Sequence, residues 1–106
     1  LRKRIMENVY YFEEKERKDV IKILESEQDD FFKRMGFTVR ESDLLGSVRK
    51  GYFLYLKANS EELDRAEKKL EGLALKKLMG EEKKIISAAF AREEENAACG
   101  MGMIFG

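Results

Sequence analysis

Any chemistry in this chain has to be done without histidine and with a single thiol, Cys99. The base that normally works near neutral pH is therefore absent, and neither a Ser–His nor a Cys–His nucleophile can be assembled within the chain. Carboxylate or lysine catalysis stays open in principle. Yet the 21 acidic residues read as the solvated faces of helices. Glu93 is a partial exception: on a helix it falls in line with Ile86, Ala89 and Phe90, inside an apolar stripe. The simpler reading is that the stripe ends at Phe90. Cys99 follows Glu93-Glu94-Glu95 at the end of the same predicted helix, where neither the helix dipole nor nearby cations favour a thiolate, so it reads as a packing residue. Metal ligation would have to rely on oxygen atoms, from Asp29-Asp30 or the glutamate run, and neither has EF-hand spacing. No catalytic, cofactor-binding or metal-ligating residue is assigned. An enzyme is the least favoured reading, with a carboxylate- or lysine-dependent one as the third alternative after a binding module and a nucleic-acid binder.

Binding is better represented than catalysis. Gly46-Ser47-Val48-Arg49-Lys50-Gly51 has the look of a phosphate loop. It lacks the Walker pattern, and a strand follows it rather than the helix N-terminus that a phosphate cradle needs. It reads as a hairpin connection. Lys50-Gly51-Tyr52 resembles the opening of the signature strand of RNA-recognition motifs, and Val9-Tyr10 echoes that family's partner motif. The pattern then departs, with Phe53 where the family has a small residue, and Leu54 and Lys57 where it has aromatics. The resemblance implies RNA or nucleotide binding through a patch of Arg40, Arg49, Lys50 and Tyr52. Against a general nucleic-acid binder stands the charge balance, 21 basic against 21 acidic residues, because phosphate neutralisation normally demands a basic surplus.

The elements that would position these residues are marked by periodicity. Asn8–Phe12 is aromatic and β-branched and predicts a strand. From Glu13 the pattern becomes helical: Val20, Ile21, Ile23, Leu24, Phe31, Phe32 and Met35 share one side of a single long helix, with Lys33 and Arg34 in its last turn and Gly36 as its stop. Glu13/Arg17 and Glu14/Lys18 are favourable i,i+4 pairs along it. Phe37–Ser42 alternates as a half-buried strand does. Tyr52–Lys57 is the strongest strand signal, apolar enough to be central. Asn59 and Ser60 offer N-caps for a second helix carrying Leu63, Ala66 and Leu70, with Gly72 at its end. Beyond this the reading forks. Either Leu73–Leu78 is a fourth strand followed by a helix from Glu81 to Cys99, or the second helix runs to Met79 and Lys84–Ala91 is the strand. The first is preferred, since Gly72 weakens a continuous helix by about 1 kcal/mol and Glu81–Ala98 is nearly all good helix formers.

Both branches give β-α-β-β-α-β, the α+β ferredoxin-like sandwich, as one domain over residues 1–106 with an extra C-terminal helix or hairpin and an apolar Gly/Met tail. Two helices are expected on one face of an antiparallel sheet, with the other face open. This architecture is similar to that of ACT-type regulatory domains, a resemblance that implies small effectors bound at subunit interfaces. The tail, Gly100–Gly106, carries no charge in a chain that is 40% charged, and soluble domains avoid leaving such a segment in water. Met101, Met103, Ile104 and Phe105 are the candidate contacts with the open sheet face or with a second subunit. The expected partners are another copy of the chain, most simply in a dimer, and a small-molecule effector. Nucleic acid is the alternative. No apolar run is long enough to cross a membrane, and one cysteine rules out an internal disulfide, so a cytoplasmic setting is expected. Lys/Glu enrichment points to a thermophilic, archaeal source, although the absence of proline runs against it. The chain opens on Leu1, which suggests that residues precede it. The function expected is that of a non-enzymatic binding or regulatory module acting as a homo-oligomer.

Overall fold

The computed structural model describes residues 4–42 and 50–105 in the backbone, with side chains to residue 92. The chain is α+β. Four strands, β1 (Ile5–Phe12), β2 (Phe37–Glu41), β3 (Tyr52–Asn59) and β4 (Lys76–Lys77), form an antiparallel sheet in the order β2-β3-β1-β4. β1 and β3 are the long central strands, paired from Ile5↔Asn59 to Phe12↔Tyr52. β1 and β2 both neighbour β3, so the connection between them crosses over one strand, and so does the connection from β3 to β4.

One layer of helices follows from the sequence pattern with one correction. The stretch from Glu13 to Met35 is not one helix. It breaks into a 3-10 turn (Glu14–Glu16), α1 (Arg17–Leu24) and the short α2 (Phe31–Met35). The cause lies in Ser26-Glu27-Gln28-Asp29-Asp30. The Ser26 hydroxyl accepts from the Asp29 N–H at 3.2 Å, and the Asp29 carboxylate accepts from the Phe31 N–H at 3.2 Å. Short polar side chains here offer the backbone an alternative to the helical ladder. The apolar set survives the break, since Val20, Leu24 and Phe32 are all buried. α3 (Ser60–Leu70) behaves as expected. The Asn59 side chain accepts from the Glu62 N–H at 2.9 Å and donates to the Glu62 carboxylate at 2.6 Å, a reciprocal cap. Leu63, Ala66 and Leu70 face inward. These helices pack on the side chains of Tyr10, Phe12, Tyr52, Leu54, Leu56 and Ala58, the even-numbered face of β1 and β3.

The second correction concerns the other face, which is not open. β4 is only two residues long, because Leu73 and Leu75 turn back to pack on the first core while Lys76 and Lys77 pair with Tyr11 and Tyr10. The chain then enters α4 (Gly80–Phe105). Ile86 and Phe90 of α4 close over Val9 and Phe53, with Leu78 beside them, in a second core on the odd-numbered face. The rings of Phe90 and Tyr55 stack at 5.0 Å and 15°. The first branch of the fork is thus the observed one, with a shorter strand and a longer helix. The apolar segment expected as a tail is helical backbone through Phe105, and the side chains of Glu93, Cys99, Met101, Met103, Ile104 and Phe105 lie outside the described residues.

Candidate functional site

The predicted basic and aromatic patch occupies one corner, where the start of α1 meets the ends of β2 and β3. Arg40 and Tyr52 line an open recess of about 690 Å³ together with Glu14, Arg17 and Glu41. Lys50 and Tyr52 line a smaller one of about 220 Å³ with Glu14, Glu41, Ser42 and Gly51. Arg49 lies outside the described residues. Gly51 is fixed here by crowding: its φ is +145°, and a Cβ would sit 2.6 Å from the Phe12 carbonyl oxygen. The Tyr11 hydroxyl donates to the Lys50 carbonyl beside it.

Among the described residues of the patch, the one aromatic ring is buried. Tyr52 points into the helix-covered core and is 8% exposed. Its ring stacks on Phe12 at 5.5 Å and 15°, and the Arg17 guanidinium lies 5.4 Å from its centroid. Removal from water, followed by the charge of Glu14, raises the Tyr52 phenol above its ordinary pKa. The ring therefore serves packing and has no free face for a base. Glu14 and Glu41 alternate with Arg17, Arg40 and Lys50 around the rim, which makes a mixed-sign surface rather than a phosphate track.

The aromatic residues suited to stacking fall one register away, on the odd-numbered face: Tyr11, Phe53 and Tyr55. In RNA-recognition motifs, aromatics of a four-stranded sheet stack the bases. Here α4 lies over that face and Phe53 is fully buried. The family resemblance on Lys50-Gly51-Tyr52 thus assigned the exposed role to the strand face that packs against helices.

A third surface was not foreseen. Among the described residues the large exposed apolar side chains are Ile5 (59%), Met6 (45%), Met79 (69%) and Ile85 (64%). Ile5 and Met6 open β1, and Met79 follows Leu78 at the point where the chain leaves the same edge. β4 pairs only with Tyr10 and Tyr11, and the Leu78 N–H donates to the Val9 carbonyl at 2.8 Å. No described strand flanks Ile5–Asn8 on that side. Next to this edge, Glu7, Gly80, Lys83, Lys84 and Ser87 line an open recess of about 520 Å³, and the Glu7 carboxylate accepts from the Tyr55 hydroxyl across the sheet. The signal for this surface was in the sequence, as Ile5-Met6 preceding Glu7. The predicted strand begins only at Asn8, whereas β1 starts at Ile5.

Among the described residues no three potential ligands cluster to hold a metal ion, and no helix is long and apolar enough to cross a membrane. No protein-family model matches the chain, and no curated protein or solved structure matches it at a significant level.

Proposed function

We propose that this chain is a non-catalytic binding module of ferredoxin-like topology that works as a homo-oligomer, most simply a two-fold dimer. The strand order with central β1 and β3, and two crossovers that each skip one strand, supports the topology. Topology alone transfers no function. The observation that carries the oligomer reading is the outer edge of β1, where backbone with no neighbouring strand among the described residues coincides with exposed Ile5 and Met6. Natural sheets cover or charge such edges, because they template pairing with another chain. Zero net charge puts no electrostatic barrier in the way. The apolar residues Met101, Met103, Ile104 and Phe105 supply a second candidate contact on the last turns of α4. A small effector would fit the recess of about 460 Å³ between Tyr11–Glu16 and Ala74–Lys76. Lys/Glu enrichment supports a thermophilic, archaeal source, and the single cysteine supports a cytoplasmic setting.

Sedimentation of the intact chain tests this reading, with a dimer expected and a monomer at high micromolar concentration overturning it. One observation favours a second reading, RNA or nucleotide binding: Tyr11, Phe53 and Tyr55 share one sheet face. That reading requires α4 to leave the face, at the cost of exposing Val9, Phe53 and Leu78, all now buried.

A further inference from the structure

Resting on the homo-oligomer reading, we infer that the partner at the β1 edge is a second copy of β1, added antiparallel along Ile5–Glu7 with the two Met6 residues facing each other across a two-fold axis. The directions of the peptide groups establish which atoms are available. Val9 accepts from the Leu78 N–H, so its peptide groups point outward, away from β3. Along an antiparallel strand these directions alternate, so Ile5 and Glu7 also point outward while Met6 and Asn8 bond toward β3. The chain leaves this edge after Leu78, where Gly80, at a φ of +59°, turns it into α4. Glycine takes that conformation without steric cost.

Symmetry then narrows the register. A two-fold axis perpendicular to a continuous sheet pairs residues that lie on the same face, so the centre falls on a residue, and the candidates are Ile5, Met6 and Glu7. A centre on Glu7 opposes two carboxylates and asks for the Val9 carbonyl, which already serves Leu78. A centre on Ile5 sets Arg4 opposite Met6 as a non-hydrogen-bonded pair and, among the described residues, exchanges backbone hydrogen bonds only between Ile5 and its own copy. A centre on Met6 pairs Ile5 with Glu7 of the second copy, and Glu7 with its Ile5. Each such pair exchanges two backbone hydrogen bonds, and all the groups used point outward. The two Met6 side chains then meet as a close, non-hydrogen-bonded pair of adaptable apolar groups.

A second copy of this same strand is favoured over other occupants of the edge by closure. Pairing β1 of one copy with β2 of the next would be heterologous and would leave an edge free at each end, building filaments, whereas β1 with β1 closes. β2 also carries Arg40 and Glu41 and, among the described residues, no exposed large apolar side chain.

Disulfide trapping reads the register directly, because facing strand positions lie within the Cα separation that a disulfide spans. In a Cys99→Ser background, Met6→Cys should oxidise to a covalent dimer at least ten-fold faster than Ile85→Cys, an exposed control. Ile5→Cys and Glu7→Cys should cross-link poorly alone and readily when mixed. Ile5→Pro, which removes an outward N–H and leaves the β1–β3 ladder intact, should raise the dimer dissociation constant at least ten-fold. If the chain sediments as a dimer but Met6→Cys cross-links no faster than Ile85→Cys, or Ile5→Cys alone cross-links fastest, this arrangement is wrong and the homo-oligomer reading survives. If the Cys99→Ser chain sediments as a monomer, both fail.

Discussion

Replacing Phe90 with alanine tests whether α4 is part of the fold or an appendage to it. The side chain is 4% exposed, stacks on Tyr55 at 5.0 Å and helps to enclose Val9 and Phe53, which are fully buried. A buried Phe→Ala change costs about 3–5 kcal/mol in lost transfer energy and residual cavity. Alanine recovers roughly 0.5 kcal/mol through its better helix propensity. The net loss is then about 2.5–4.5 kcal/mol, a large share of the ~5–15 kcal/mol that holds a domain together. In urea, with a slope of about 1–3 kcal/mol per molar, the midpoint should fall by about 0.8 M or more. Ile85, five positions earlier on the same helix, is 64% exposed, so Ile85→Ala should stay within about 0.5 kcal/mol of the parent. Equal and small shifts for both variants would refute the second core. The sheet face would then be open, as the sequence alone suggested.

Two further outcomes are expected. Single-stranded RNA should bind no more tightly than the non-specific range, about 10⁻⁶ M near physiological salt; tight, salt-sensitive binding in fluorescence anisotropy that is lost on Tyr11→Ala or Tyr55→Ala would promote the second reading. Stability should be flat from about pH 5.5 to 7.5, since no histidine titrates there. The hydrogen bond from Lys69, with the Phe31 N–H, holds the Asp29 carboxyl below its usual pKa, so as pH falls through about 4 the unfolded chain takes up protons first and stability declines. Tyr10 is raised by burial and Lys77 by its bond from the ammonium to Glu67 at 2.8 Å. Their contribution is intact below about pH 10 and is lost as pH rises further. Chemical denaturation across pH checks both limbs, and a step in midpoint between pH 5.5 and 7.5 would contradict them.

What was legible in the sequence is what periodicity and composition encode locally. The β3 strand, the Leu63/Ala66/Leu70 stripe, the Asn59 cap and the order of elements were all readable, because each depends on residues within a few positions of one another. The break at Ser26–Asp30 was not, since the apolar spacing from Val20 to Met35 continues as though no turn intervened. The covering of the second face by α4 was hidden for a different reason. Ile86 and Phe90 anchor it among the described residues, and their stripe was visible in the sequence, but nothing local says which surface that stripe meets. The faces of β3 were also ambiguous: Tyr52–Leu56 is apolar on both sides, as strands buried on both faces are. No local signal says that Tyr52 and Leu54 meet the first helices while Phe53 and Tyr55 meet α4. The open edge of β1 depends on β4 stopping after two residues, which is a tertiary fact.

Self-association is the claim on which the account rests, and sedimentation equilibrium of the intact chain across the micromolar range measures it most directly. The account predicts a species of twice the 12.4 kDa chain mass, dissociating on dilution as a small edge-to-edge contact does. A single 12.4 kDa species at every concentration up to the high micromolar range would contradict it.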